Sequence, residues 1–156
     1  MPLPIEWHDD PQTESSLSAM LVSMNIGPHE ISIDGDLLTA RWHGAPSRQE
    51  LEEVLTRAEG VIRSHGLLLV LNDMRQAGPA GAEARRYMQQ WISRNPSFIL
   101  VTFGVTQTVR VVLYLMTRAM VLLGLRPPVN HFFATESEAR AWIDEFRRSG
   151  QRLPAP

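Results

Sequence analysis

The sequence predicts an α/β protein: a mixed sheet of about five strands, an N-terminal antiparallel hairpin followed by parallel strands, with helices around it. Three observations carry this. Two short β-prone stretches flank an Asp34-Gly35 pair, the signature of a tight hairpin. Three continuous apolar runs of strand length, around 67–73, 98–105 and 129–134, read as strands covered on both faces. Between and after them the apolar residues switch to helical spacing, and strands alternating with helices imply parallel neighbours and right-handed crossovers. The whole is one domain over 29–150, preceded by an extension, 1–28, and followed by a tail, 151–156.

The extension carries Pro2, Pro4, Pro11 and Pro28. Leu17, Met20, Leu21 and Met24 fall at i, i+3, i+4, i+7, which predicts a short helix over 14–25 closed by Gly27. In the hairpin that follows, Ile31 and Ile33 alternate with polar residues ahead of a type I′ turn at Asp34-Gly35, and 37–42 is β-prone. Ser47 and Glu50 have capping-box spacing, opening a helix that buries Leu51, Val54, Leu55, Ala58, Val61 and Ile62 and ends near Gly66. The run 67–73 leads into a loop, then a helix over 81–94 with Ala84, Tyr87, Met88, Trp91 and Ile92 inward, stopped at Asn95-Pro96. After the strand at 98–105 comes a very apolar helix, 108–125, stopped by Pro127-Pro128. The last strand, 129–134, precedes a second capping box, Thr135 to Glu138, and a helix with Ala139, Trp142, Ile143 and Phe146 on one face.

This order, carried by DGDLLTARWHG at 34–44, LLLVLNDM at 67–74 and FFATESEARAWI at 132–143, resembles the STAS domains, and within them the SpoIIAA-like group. The resemblance spans about 29–148. It implies a non-catalytic regulatory module that binds another protein. In phosphoswitch members of the family, a serine in the loop after the third strand is phosphorylated by a partner kinase. The corresponding loop here, 73–83, keeps Asp73 but has no hydroxyl residue, and the whole span 66–92 lacks serine and threonine. The resemblance therefore carries over a binding surface without the switch.

Composition narrows the chemistry. With 15 basic and 17 acidic residues the net charge is −2, which gives no electrostatic case for nucleic acid. All the basic residues are arginine, so Schiff-base lysines and P-loop phosphate lysines are excluded. The absence of cysteine removes disulfides and thiolate chemistry and suits a reducing cytoplasm. The first residues lack the charged and apolar regions of a secretory signal. Arg110, Arg118 and Arg126 interrupt the most apolar stretch, which reads as a buried helix and not as a membrane span.

Two loops at the carboxyl ends of strands are candidate ligand or partner sites, since open α/β sheets bind there. One offers Asp73, Arg75, Gln76 and Gly78; its plainer reading is a surface turn with Asp73 satisfying local amides. The other offers Thr106 and Arg110, either as an anion site at a helix N-terminus or as simple capping by Thr106 or Thr108. The five histidines show no metal-ligand spacing, and no serine sits in a nucleophile elbow, so no metal, cofactor or catalytic residue is expected. The helix 108–125 is the most informative element. Val109, Val112, Leu113, Met116, Met120 and Leu123 form one apolar face. Val111, Tyr114, Leu115, Leu122 and Leu125 populate the other side, which a twin subunit, the N-terminal segment or an apolar ligand must cover. The expectation is a homodimer joined through Leu115, Leu122 and Leu125; a carrier or sensor of an apolar molecule, and an enzyme of unknown reaction, are the alternatives.

Overall fold

The computed structural model describes residues 21–150. Its elements are β1 (Val22–Ile26), β2 (His29–Asp34), β3 (Leu37–Gly44), α1 (Arg48–His65), β4 (Leu68–Ala77), α2 (Ala82–Arg94), β5 (Phe98–Phe103), α3 (Gln107–Leu122), β6 (Val129–Phe133) and α4 (Glu136–Ser149). The strands form one mixed sheet whose spatial order is the chain order, β1 to β6. β1, β2 and β3 pair antiparallel, and β3 to β6 run parallel. The expected hairpin and the three parallel core strands are therefore present, with one strand more than expected.

The extra strand corrects the extension. Val22–Ile26, the end of the segment expected as a helix, pairs with β2, and Ile26 is buried in the core. Residues 14–20 of that expected helix lie outside the described residues. The competing signal was the turn Ile26-Gly27-Pro28-His29. Gly27 and Gly35 are each the first central residue of a two-residue hairpin loop, with φ of 56° and 59°. The residue after each, Pro28 and Asp36, has no positive φ. That is the pattern of a type II′ turn, which needs glycine at its first central position, in place of the expected type I′.

Both capping boxes form: Ser47 with Glu50, and Thr135 with Glu138. α1 and α2 lie on one face, over a cluster that includes Ile26, Ile31, Leu38, Ala40, Leu68 and Phe98. Trp91 is buried there and its Nε1 donates to Glu59 Oε1 at 2.9 Å, tying α2 to α1. Met88, expected inward, is exposed. α4 covers the opposite face with Ala139 and Ile143, over Leu69, Leu71, Ile99, Val101 and Phe103.

α3 departs most from expectation. Read as a buried helix, it has no buried residue. The face expected against the sheet is open: Val109, Val112, Met116 and Leu123 are exposed, and only Leu113 and Met120 are half-buried. The physical reason is position. The crossover from β5 to β6 carries α3 to the end of the sheet, where β6 is a five-residue edge strand, and a groove separates the two. Among the described residues no helix is long and apolar enough to cross a membrane.

Candidate functional site

β4 decides where the first candidate site sits. It runs to Ala77, past the expected loop start, because its pairing with β3 survives a register shift between Arg41 and His43 and continues to Gly44. Asp73, Arg75 and Gln76 are thus strand residues at the carboxyl end of the sheet, and the connecting loop shrinks to 78–81. Asp73 is 5% exposed. A buried carboxylate needs partners, and Arg75 supplies a fork: Nε donates to Oδ1 at 2.9 Å and Nη2 to Oδ2 at 2.6 Å, while the Arg75 amide donates to Oδ1 at 3.1 Å. The Arg75 side-chain hydrogen bonds hold the Asp73 pKa below its usual value, outweighing the opposing effect of burial; the charges of Arg75 and Arg41 add to them.

Around this pair stands a network the sequence did not advertise. Arg41, the neighbour of Asp73 across the β3–β4 register, lies with Nε 3.8 Å from Asp73 Oδ2 and donates from Nη2 to Glu136 Oε1 at 3.2 Å. Arg140 Nε also donates to Glu136 Oε1, at 2.9 Å. Burial pushes the Glu136 pKa up, but the hydrogen bonds and charges of Arg140 and Arg41 outweigh it and the net shift is downward. Arg41 was read only as part of a strand and Glu136 only as part of a helix start. The i, i+4 spacing of Glu136 and Arg140 was the one available signal. Gln76 belongs to a neighbouring set of contacts: its Oε1 lies 2.8 Å from His43 Nδ1, and His43 Nε2 lies 3.1 Å from Glu30 Oε1. Gly78 is a packing residue, since a Cβ there would come within 2.8 Å of the Ala45 amide nitrogen.

The second candidate loop is separate from the first. Thr106 caps α3, accepting from the Val109 amide at 3.3 Å. Arg110 lines the groove between α3 and β6, about 570 Å³, with Val111, Tyr114, Pro127, Val129 and Phe132. Its Nε is buried, with no hydrogen-bond partner among the described residues. By strand parity this groove belongs to the α1/α2 side of the sheet, since Asn130 in its wall accepts from Thr102 on that face, whereas Asp73 belongs to the α4 side. Leu115, Leu122 and Leu125 are 59%, 87% and 54% exposed. His131 is half-buried and packs against Trp142, ring centroids 4.4 Å apart and planes tilted by 31°. Among the described residues no cluster of three potential ligands could hold a metal ion.

No family model and no curated protein matches the sequence. Solved structures do. An uncharacterised protein of the DUF3478 family with a SpoIIAA-like fold, from Shewanella loihica, is 15% identical with a TM-score of 0.56, over 76% of this chain and 98% of that one. The anti-sigma factor antagonist SpoIIAA in its unphosphorylated form is 10% identical with a TM-score of 0.49, over 80% of this chain and 97% of that one. At 15% identity the likeness to the first of these is one of architecture, and it agrees with the sheet and helix order described above: this chain has a SpoIIAA-like fold.

Proposed function

We propose that this chain is a non-catalytic, cytoplasmic regulatory module that binds other protein surfaces, first of all a second copy of itself, without a phosphorylatable serine. The observation that carries the reading is α3: a 16-residue helix with no buried residue and an apolar surface running from Val109 to Leu125. An exposed apolar patch of this kind marks an association site. Burying one leucine side chain stabilises by roughly 1.5–3 kcal/mol, so Leu115, Leu122 and Leu125 from each subunit offset much of the cost of association. A twofold pair is the commonest arrangement of small homo-oligomers. The Asp73–Arg75 end of β4 supports the loss of the switch, since the strand and the loop after it offer a phosphoryl group no serine or threonine oxygen.

Sedimentation of the full chain and of Leu122→Glu tests the reading. A wild-type dimer that dissociates in the variant is expected. A wild-type monomer at micromolar concentration overturns self-association. Incubation with the cognate kinase and labelled ATP is expected to leave residues 66–92 unlabelled.

A second reading, a carrier or sensor of an apolar small molecule, is favoured by the groove between α3 and β6. Its volume, about 570 Å³, lies within the usual range of ligand sites, and its walls are mostly apolar. Native mass spectrometry separates the two: a bound lipid mass on a monomer selects the carrier, and a ligand-free dimer selects the association module.

A further inference from the structure

A second cavity lies on the other side of the sheet, remote from α3. Among the described residues α4 packs over β4, β5 and β6, and the same face of β1 and β2 borders a recess. Between that face and the first turns of α4 is this recess of about 430 Å³, lined by Ser23, Asn25, Glu30, Ser32, Thr39, Arg41 and Arg140. The register explains its chemistry. Ser23 pairs with Ser32 and Ser32 with Thr39, so three hydroxyls stand in one cross-strand row; Asn25, Glu30 and Arg41 form the next.

Two arginines meet one carboxylate at the α4 side of the recess. Arg41 and Arg140 share one carboxylate, Glu136, with nitrogen–oxygen distances of 3.2 Å and 2.8 Å. Two guanidinium groups on one carboxylate leave a positive charge. Asp73 does not remove it, because Arg75 already holds both its oxygens. Glu30 is 56% exposed and stands across the register from Arg41, with its Oε1 3.1 Å from His43 Nε2. A guanidinium carries five N–H donors. Among the described residues Arg41 and Arg140 direct only Nε and Nη2 at carboxylates, which leaves each Nη1 for another acceptor.

We propose that this recess binds a small hydroxylated organic anion, of the sugar-phosphate or hydroxy-acid class. The anionic group sits on the free edges of Arg41 and Arg140, and the ligand's hydroxyls pair with Ser23, Ser32 and Thr39. The proposal is independent of self-association through α3.

Titration of the ¹⁵N-labelled full chain with glucose 6-phosphate, gluconate, inorganic phosphate and glucose tests it. Saturable shifts centred on β1–β3 and the start of α4 are expected with glucose 6-phosphate or gluconate, and weaker binding with phosphate or glucose alone. Arg140→Gln, a surface change, removes a charge-assisted hydrogen bond and is expected to weaken binding about tenfold or more. Ser32→Ala is expected to weaken the hydroxylated anion but not inorganic phosphate. No saturable shift up to about 10 mM, a weaker interaction than proteins ordinarily use for ligands, overturns the proposal. So does an affinity for the hydroxylated anions that Arg140→Gln leaves unchanged.

Discussion

Glu50 joins three parts of the molecule through one carboxylate. It accepts the Ser47 amide at 2.8 Å to close the α1 capping box, and lies 3.4 Å from Nε2 of the fully buried His29. It also covers the β1–β2 turn so closely that a Cβ on Gly27 would fall 2.0 Å from its Oε1. The hydrogen bonds from the Ser47 backbone and side chain pull its pKa below the usual carboxylate value. Gly27→Ala combines that clash with a φ of 56°, and is expected to destabilise by about 1–3 kcal/mol in urea unfolding. At the other end of the sheet, burial lowers the His131 pKa from its usual 6.5. A base whose folded pKa is depressed contributes stability that is complete above its unfolded pKa and is lost as pH falls through the folded one. Unfolding free energy is therefore expected to drop as pH falls below about 6.5, and His131→Gln to flatten that slope. An identical slope in the variant would assign the loss to other groups. Capping boxes and the hairpin turn at Gly35 were legible because they involve neighbours three residues apart or fewer, whereas Gly27 was read as a helix stop. The Glu50–His29 approach was not, because it needs β2 and α1 already packed.

Helices α1 and α3 show why an apolar stripe identifies an element but not its neighbour. Both were located by their periodicity and caps. α1 buries Leu51, Val54, Ala58 and Val61, whereas α3 buries none. The difference lies beneath them: α1 sits over the middle of the sheet, and α3 beside a five-residue edge strand. Substitutions should report this directly. Leu71→Ala, at a fully buried position in β4, is expected to cost about 2–5 kcal/mol because a cavity replaces the lost side chain. Leu122→Glu, at an 87% exposed position, is expected to change the unfolding free energy of the dilute monomer by less than about 0.5 kcal/mol. A large loss in the second variant would mean that α3 is covered within its own chain. The end of β4 teaches the complementary lesson. The Gly-Pro-Ala-Gly stretch correctly marked a loop, but Arg75 and Gln76 looked like loop residues only because the pairing of this end of β4 with β3, more than thirty positions earlier, was invisible.

At the scale of the molecule, strands adjacent in sequence are adjacent in space throughout, which is why a reading made segment by segment recovers the sheet. The boundary at residue 29 is the exception. A chain shortened to begin at His29 loses β1 and the buried Ile26, and is expected to unfold at lower urea concentration than one beginning at Leu21, by about 2–5 kcal/mol. Equal midpoints would make β1 dispensable. The sequence by itself determined the alternation of strands and helices, their parallel and antiparallel sense, the caps, the absence of lysine and cysteine, and the lack of serine and threonine over 66–92. These follow from periodicity, turn chemistry and residue inventory, all local or compositional. Only the tertiary structure decided that Arg41, Asp73, Arg75, Glu136 and Arg140 form one charge network and that α3 buries none of its residues. Those facts depend on which strand lies beneath which helix and on side chains up to 99 positions apart meeting, here Arg41 and Arg140 on Glu136. Such meetings are set by the register and extent of the sheet, which no single segment encodes.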